Sequence, residues 1–346
     1  MSFSQSQAVF FRSLSTMFSA GVPLTLCFDQ LEAQSDSVQT SQVAASVAAR
    51  LRQGESLHAA FAARPDAFSP LQVHLVRVGT QSGSLEHIFT QLAVYEEQKR
   101  DLIQRLKATF TYPILVFAIG MLGLFCLPTL VMGGLFGMLE GSGQPLPLLT
   151  RILLAWAHLL RTVWFYPLAL VSLGALYQTG QAAWRNDSLR LACLNYLLTL
   201  PALGRAIRML VTLRFSRCLL LLLRAGVPLL TTISLAAKAT GFDPARQVGK
   251  DLEEALRGGQ SLAEALSQQT LFEPMLTQMV AAGEESGKLT RLLKCAVRLY
   301  EQELSHGLEV AASLLEPVLM AVLGAIVGLF ILGIALPLVQ LIQTLA

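Results

Sequence analysis

The residues that could do chemistry in this chain are few. The densest group is AAGEESGKLTRL at 281–292, where two glycines, a lysine and a threonine are the ingredients of a phosphate-binding loop. The spacing is wrong for one. A G-x-x-x-x-G-K-[ST] loop needs four residues between its glycines and a hydroxyl after the lysine, to reach the metal. Here three residues, Glu284, Glu285 and Ser286, separate Gly283 from Gly287, and Leu289 follows Lys288. Two carboxylates would repel a phosphate, and FEPMLTQMVAA upstream has helical spacing where a strand is needed. The stretch reads instead as a joint between two helices, with a glycine end, a serine cap and a new helix at Leu289.

The other reactive side chains do not converge either. The histidines, His58, His74, His87, His158 and His306, are dispersed, and only His74 and His87 could meet in space. The five cysteines, Cys27, Cys126, Cys193, Cys218 and Cys295, show no CxxC or metal-ligand spacing and read as small buried apolar residues. Paired acids such as Glu96–Glu97, Glu253–Glu254 and Glu284–Glu285 read as exposed helix faces. No GxSxG, HExxH or dinucleotide fingerprint appears. No catalytic residue, cofactor site or metal site is therefore assigned. Glu316 stands apart, directly before Pro317 at the mouth of an apolar span. A carboxylate at membrane depth is expensive and by default functional. It either rests in the headgroup region or pairs with a cation on a neighbouring helix or partner.

The elements that carry these residues follow from composition. The 346 residues are 53% hydrophobic and only 14% charged, where soluble domains carry about 25% charged residues. Mean hydropathy is +0.54. The formal charge of +3 is small and unclustered, so no direct nucleic-acid partner is expected. Three stretches are long and apolar enough to cross a bilayer: 110–138, 162–184 flanked by Trp164, Tyr166 and Trp184, and 314–342. Nine Lys and Arg lie in 1–109 and fifteen in 180–313. By the positive-inside rule both regions are cytoplasmic, and the connector and C-terminus lie outside. LTRILLAWAHLLRT at 149–162 reads as an amphipathic helix on the outer interface, or as the start of a longer, tilted second span. MSFSQSQAVFFRSL lacks a basic stretch before an apolar one, so no cleavable signal is expected.

The chain also repeats itself. AGVPL occurs at 20–24 and 225–229, and LRQGESL at 51–57 matches LRGGQSL at 256–262, both at an offset of 205. VGTQSGSL at 78–85 matches AGEESGKL at 282–289 at 204, and Pro113 pairs with Pro317, each opening a membrane span. Each repeat reads as about 100 residues of short helices joined to a span. Gly21 and Gly226 stop helices, Pro23 and Pro228 start the next, and Ser56 and Ser261 fit N-caps after Gly54 and Gly259. Gly120, Gly123, Gly324, Gly328 and Gly333 allow close approach of spans, within one chain or between protomers.

The duplicated AGVPL, RxGxSL, FxPxxxxxxxxGExSGxL and proline-led span closely resemble the type II secretion system F family, from about Phe10 to Leu341. These are the inner-membrane platform proteins of type II secretion and type IV pilus machines. The resemblance implies an all-α membrane protein: two tandem cytoplasmic six-helix-bundle repeats plus three transmembrane helices. It implies a non-enzymatic oligomer in the bacterial inner membrane that couples a cytoplasmic motor ATPase to assembly of pilin or pseudopilin subunits, alongside other inner-membrane assembly proteins. The family's signature falls on Gly21, Pro23, Gly54, Ser56, Leu57, Gly79, Ser82 and Gly83, and again on Gly226, Pro228, Gly259, Ser261, Leu262, Gly283, Glu284, Ser286 and Gly287. Two departures stand out. Thr80 replaces the second repeat's Glu284, and the bundle begins almost at Met1, where many members carry an extension.

The expected organisation is a cytoplasmic bundle at 1–109, a span at 110–138, an extracytoplasmic connector at 139–161 and a span at 162–184. A second cytoplasmic bundle at 185–313, a span at 314–342 and an outer tail at 343–346 complete it. Secretion systems, type IV pili and DNA-uptake pili share these expectations. A transporter component with tandem repeats is the rival reading. It is disfavoured because most of each repeat lies outside the membrane, and span one and the third span from Pro317 onward are uncharged.

Overall fold

A computed structural model describes residues 3–35, 37–140 and 201–345, together with Arg151, Ile152, Ala155 and Gly174. The predicted second span and most of the amphipathic connector lie outside the described residues. Those described are helical, with turns between the helices and no strand among them. The first repeat supplies α1 (Phe3–Ser19), α2 (Leu24–Ala33), α3 (Val38–Arg52), α4 (Leu57–Ala62), α5 (Pro70–Ser82) and α6 (Leu85–Glu140). The second supplies α7 (Pro201–Arg224), α8 (Leu229–Ala239), α9 (Asp243–Arg257), α10 (Leu262–Ser267), α11 (Pro274–Glu285) and α12 (Leu289–Leu345). The two sets match helix for helix.

The described residues fall into two compact units. One holds those of Met1–Arg105 and Leu191–His306, and the other those of Leu106–Arg190 and Gly307–Ala346. In the first unit each repeat packs its short helices around its own core. The core of the first repeat is aromatic. Phe10, Phe11, Phe28, Phe61 and Phe68 are all buried, and Phe61 stacks on Phe68 with centroids 3.8 Å apart and planes 7° from parallel. The second repeat keeps Phe215 and Phe272, 4.6 Å apart, where the first has Phe10 and Phe68. It substitutes Ser216, Ile233 and Leu266 for the other three rings.

The second unit holds the apolar ends of α6 and α12. Two helices among the described residues are long and apolar enough to cross a membrane, over Leu85–Gly123 and Leu289–Gly333. Their large side chains face outward: Ile114, Phe117, Leu122, Val318, Met320 and Ile331 are all more than half exposed. A soluble fold would bury such residues, whereas lipid solvates them. A Cβ on Gly120 would collide with the Leu323 side chain, so this glycine lets α12 approach α6 within one chain. Gly324 and Gly328 meet open space instead.

Pro113 and Pro317, read as opening the apolar spans, stand within helices. Each lies inside a continuous helix, 28 residues beyond its start (85 to 113, and 289 to 317). Proline removes one N–H and leaves the carbonyl four residues back without its usual donor, but the helix can resume beyond it. A change of solvent from water to lipid need not coincide with a helix end.

Candidate functional site

The signature residues are spread over the turns of both repeats, and they do two jobs. Gly21, Gly54, Gly83, Gly226, Gly259 and Gly287 all have positive φ, between +65° and +88°. Each sits where a helix ends and the next amide reaches back five residues, as Val22 N–H does to the Met17 carbonyl and Lys288 N–H to Gly283. This is the Schellman stop, which needs a left-handed residue. Gly79 and Gly283 work differently. A Cβ on Gly79 would sit 2.7 Å from Ile88 Cγ1, and one on Gly283 would sit 2.9 Å from Leu289 Cα. These two let α5 lie against α6, and α11 against α12.

Pro23 and Pro228 occupy the N-cap of α2 and α8, both at φ −55°. Ser261 makes a capping box at the start of α10, its hydroxyl accepting from Glu264 N–H and the Glu264 carboxylate accepting from Ser261 N–H. Ser56 stands at the same place before α4 without a capping bond. Its hydroxyl lies 3.5 Å from His58 Nε2. Leu57 and Leu262 follow and are buried. Ser82 and Ser286 do not cap the following helix. Each bonds back into its own helix, Ser82 to the Val78 carbonyl at 2.7 Å and Ser286 to the Ala282 carbonyl at 2.6 Å. In the first repeat the Ser82 hydroxyl also lies 2.6 Å from that of Ser84 across the turn.

Glu284 is the carboxylate of the opening stretch, and it faces backbone. Its Oε1 accepts from Leu262 N–H and its Oε2 from Ala263 N–H, both at 2.9 Å. A carboxylate across the first amides of a helix satisfies donors that the helix itself cannot. Glu284 thereby ties α11 to α10. Thr80 holds the matching place in the first repeat and donates to the Val76 carbonyl at 2.7 Å. Glu316 and Pro317 are exposed on α12, while Pro113 is buried on α6. Among the described residues no three His, Cys, Asp or Glu side chains gather to hold a metal ion.

Three features escaped the sequence reading. The first is an ion pair made twice. Arg12 Nε donates to Glu97 Oε1 at 2.6 Å, and its Nη2 to Oε2. Arg217 Nε and Nη2 donate to Glu301 Oε1 at 3.0 and 2.7 Å. Both pairs join the first helix of a repeat to its last. They obey the repeat offset, 205 for the arginines and 204 for the glutamates, which is the signal that could have found them. The second is a buried polar contact, in which Gln72 Nε2 donates to Glu96 Oε1 at 2.8 Å. Glu96 is only 3% exposed and also receives Lys99. The third lies between the repeats. Tyr95 of α6 stands beside Cys218, Arg214 and Arg217 of α7, and Arg105 Nη1 donates to Ser305 Oγ at 3.2 Å. Burial raises the pKa of the Tyr95 phenol and the Cys218 thiol and lowers that of Arg214, whose Nη1 donates to the Thr240 carbonyl.

Known proteins resemble this chain over nearly its whole length. A family model described as type II secretion system (T2SS), protein F, matches residues 10–133 and 215–337, one match per repeat. The type 4 fimbrial assembly protein PilC of Pseudomonas putida is 35% identical over 343 residues, covering 96% of this chain and 83% of its own. The type IV pilus assembly protein PilC of Thermus thermophilus is 31% identical over 346 residues, covering 98% and 83%. The type II secretion system protein F of Pseudomonas aeruginosa is 30% identical over 332 residues, covering 96% and 82%.

Proposed function

The chain belongs to the type II secretion system protein F family, and on that premise we propose that it is a membrane-embedded assembly platform for a pilus or secretion filament. The observation that carries the reading is the double match, in which each copy runs from a set of short helices into an apolar helix. The two sets form cytoplasmic six-helix bundles at 1–109 and 185–313, and three spans at 110–138, 162–184 and 314–342 anchor them. The lysine and arginine distribution supports that topology.

The role is mechanical. A cytoplasmic motor ATPase docks on the bundles, and its motion passes to spans that guide pilin or pseudopilin subunits. Hydrolysis belongs to the motor, in keeping with the dispersed titratable groups described above. A platform at the base of a filament assembles from several copies, alongside other inner-membrane proteins. Glu316 contributes by pairing with a cation on a partner helix. A Glu316→Gln chain that supports undiminished filament assembly would remove that role.

Affinity purification of the full chain in detergent tests the reading. The motor ATPase of the same machine should co-purify, and the purified chain alone should not turn over ATP. Turnover by the chain alone, with no motor retained, would sink the platform reading in favour of an enzyme. A reporter fused after Ala346 should be extracytoplasmic.

A further inference from the structure

The first unit contains a cavity of about 280 Å³ where α6 of one repeat meets α7 and α12 of the other. Small-molecule pockets run roughly 300–1,000 Å³, so this one takes something small. Its floor is apolar, with Leu221 and Val297 each 5% exposed. Its charge is one-sided. Arg217, Arg224, Lys294 and Arg298 line it, against the single carboxylate of Glu301. Glu301 already accepts both of its bonds from Arg217, which is 9% exposed. Among the described residues Arg224, Lys294 and Arg298 form no ion pair, and the Nη1 of Arg217 has no acceptor.

The other repeat serves as an internal control. At the positions of Arg224, Lys294 and Arg298 it carries Ser19, Thr90 and Val94, while Arg12 and Glu97 preserve the Arg217–Glu301 pair. Ser15 and Thr90 bond there at 3.0 Å. The same helices therefore pack without the three extra cations, so the fold does not require them. Gathering like charges at one cavity is unfavourable unless an anion offsets it. Arginine adds a planar fork that matches phosphate oxygens, and lysine a point charge.

The geometry points to a binding site for a small phosphate-bearing anion in the cavity between α6, α7 and α12. Arg224, Lys294 and Arg298 hold the phosphate at the mouth. Leu221 and Val297 take the apolar part, and Tyr95 with Gln91 and Gln98 forms the opposite wall. The site does not depend on the platform reading, because its walls all belong to the first unit.

Titration of pyrophosphate and adenosine monophosphate into the full chain, in nanodiscs of zwitterionic lipid, tests it. At least one should bind saturably. The Lys294→Ala/Arg298→Ala double variant, altered only at exposed positions, should weaken binding about tenfold or more. Arg291→Ala, on the same helix but away from the cavity, should change binding by less than about twofold. No saturable binding, or equal loss in the control variant, would overturn the site. Repeating the titration with anionic phospholipid in the disc identifies the source of the phosphate. A lipid headgroup that fills the cavity raises the apparent Kd of the free anion in the unaltered chain and not in the double variant. An unchanged Kd assigns the site to a free anion.

Discussion

The two repeats share their helix order, their glycine stops and their Arg–Glu pair, and they differ in what fills the space between. The first repeat gathers five phenylalanine rings; the second keeps two and packs Ile233 and Leu266 beside them. The first buries a Gln72–Glu96 hydrogen bond; the second has Leu276 and Tyr300 at those places, with the Tyr300 phenol beside the Leu276 backbone. The second spans α10 and α11 with Glu284; the first makes no such tie through Thr80. Backbone geometry has thus been retained more closely than interior chemistry. A left-handed helix stop accepts little but glycine, whereas a core accepts many fillings of similar volume.

The largest test of this difference is Phe61→Ala. It empties a fully buried site and breaks the stack on Phe68, and should cost about 3–5 kcal/mol, toward the upper end of the range of about 2–5 kcal/mol for Leu266→Ala. Thermal unfolding of the full chain in detergent should therefore show the larger shift for Phe61. Equal shifts would mean that ring stacking adds nothing to the first core. Next comes Glu96→Ala, which strands the buried Gln72 amide at a cost of about 1–3 kcal/mol. Installing the sister pair, Gln72→Leu with Glu96→Tyr, should recover part of that loss. A double variant no better than the sum of its singles would show that the two fillings are not interchangeable.

Glu284→Ala should cost about 1–2 kcal/mol through the two freed amides of α10, while Thr80→Ala should stay within about 0.5 kcal/mol. Faster hydrogen exchange at Leu262 and Ala263 in the first variant would locate the loss. The smallest effect belongs to His74. Burial, and then the charge of Arg77, lowers its pKa below the ordinary value of 6.5. The folded chain thus binds fewer protons here than the unfolded chain. Stability should fall as pH drops from about 6.5 toward the folded pKa, and His74→Gln should flatten that slope. An unchanged slope would rule out His74 as its source.

The sequence readily revealed whatever is encoded in residue type. Glycine marks a left-handed turn, so the helix stops could be placed at Gly21, Gly54 and Gly83 before any coordinates. Apolar length likewise marked the ends of α6 and α12. Contacts to backbone left no such mark, because the amides of Leu262 and Ala263 that bind Glu284 look like any others. The Arg12–Glu97 pair was hidden among scattered charges, although its sister at Arg217–Glu301 repeats the letters at the same offset. Pro113 and Pro317 left a different gap, since nothing in their type shows that the helix carrying each begins well before the apolar stretch.

The Gln72–Glu96 pair has a consequence for how a duplicated chain assembles correctly. Two repeats with the same helix order invite exchange, α12 settling into the first repeat and α6 into the second. Such a swap would set the Tyr300 phenol against the Gln72 amide and press the Glu96 carboxylate onto Leu276. Glu96 would keep Lys99, which travels on the same helix, but lose the Gln72 amide, and a buried polar group without its partner costs about 1–3 kcal/mol. The pair therefore favours each long helix in its own half of the chain.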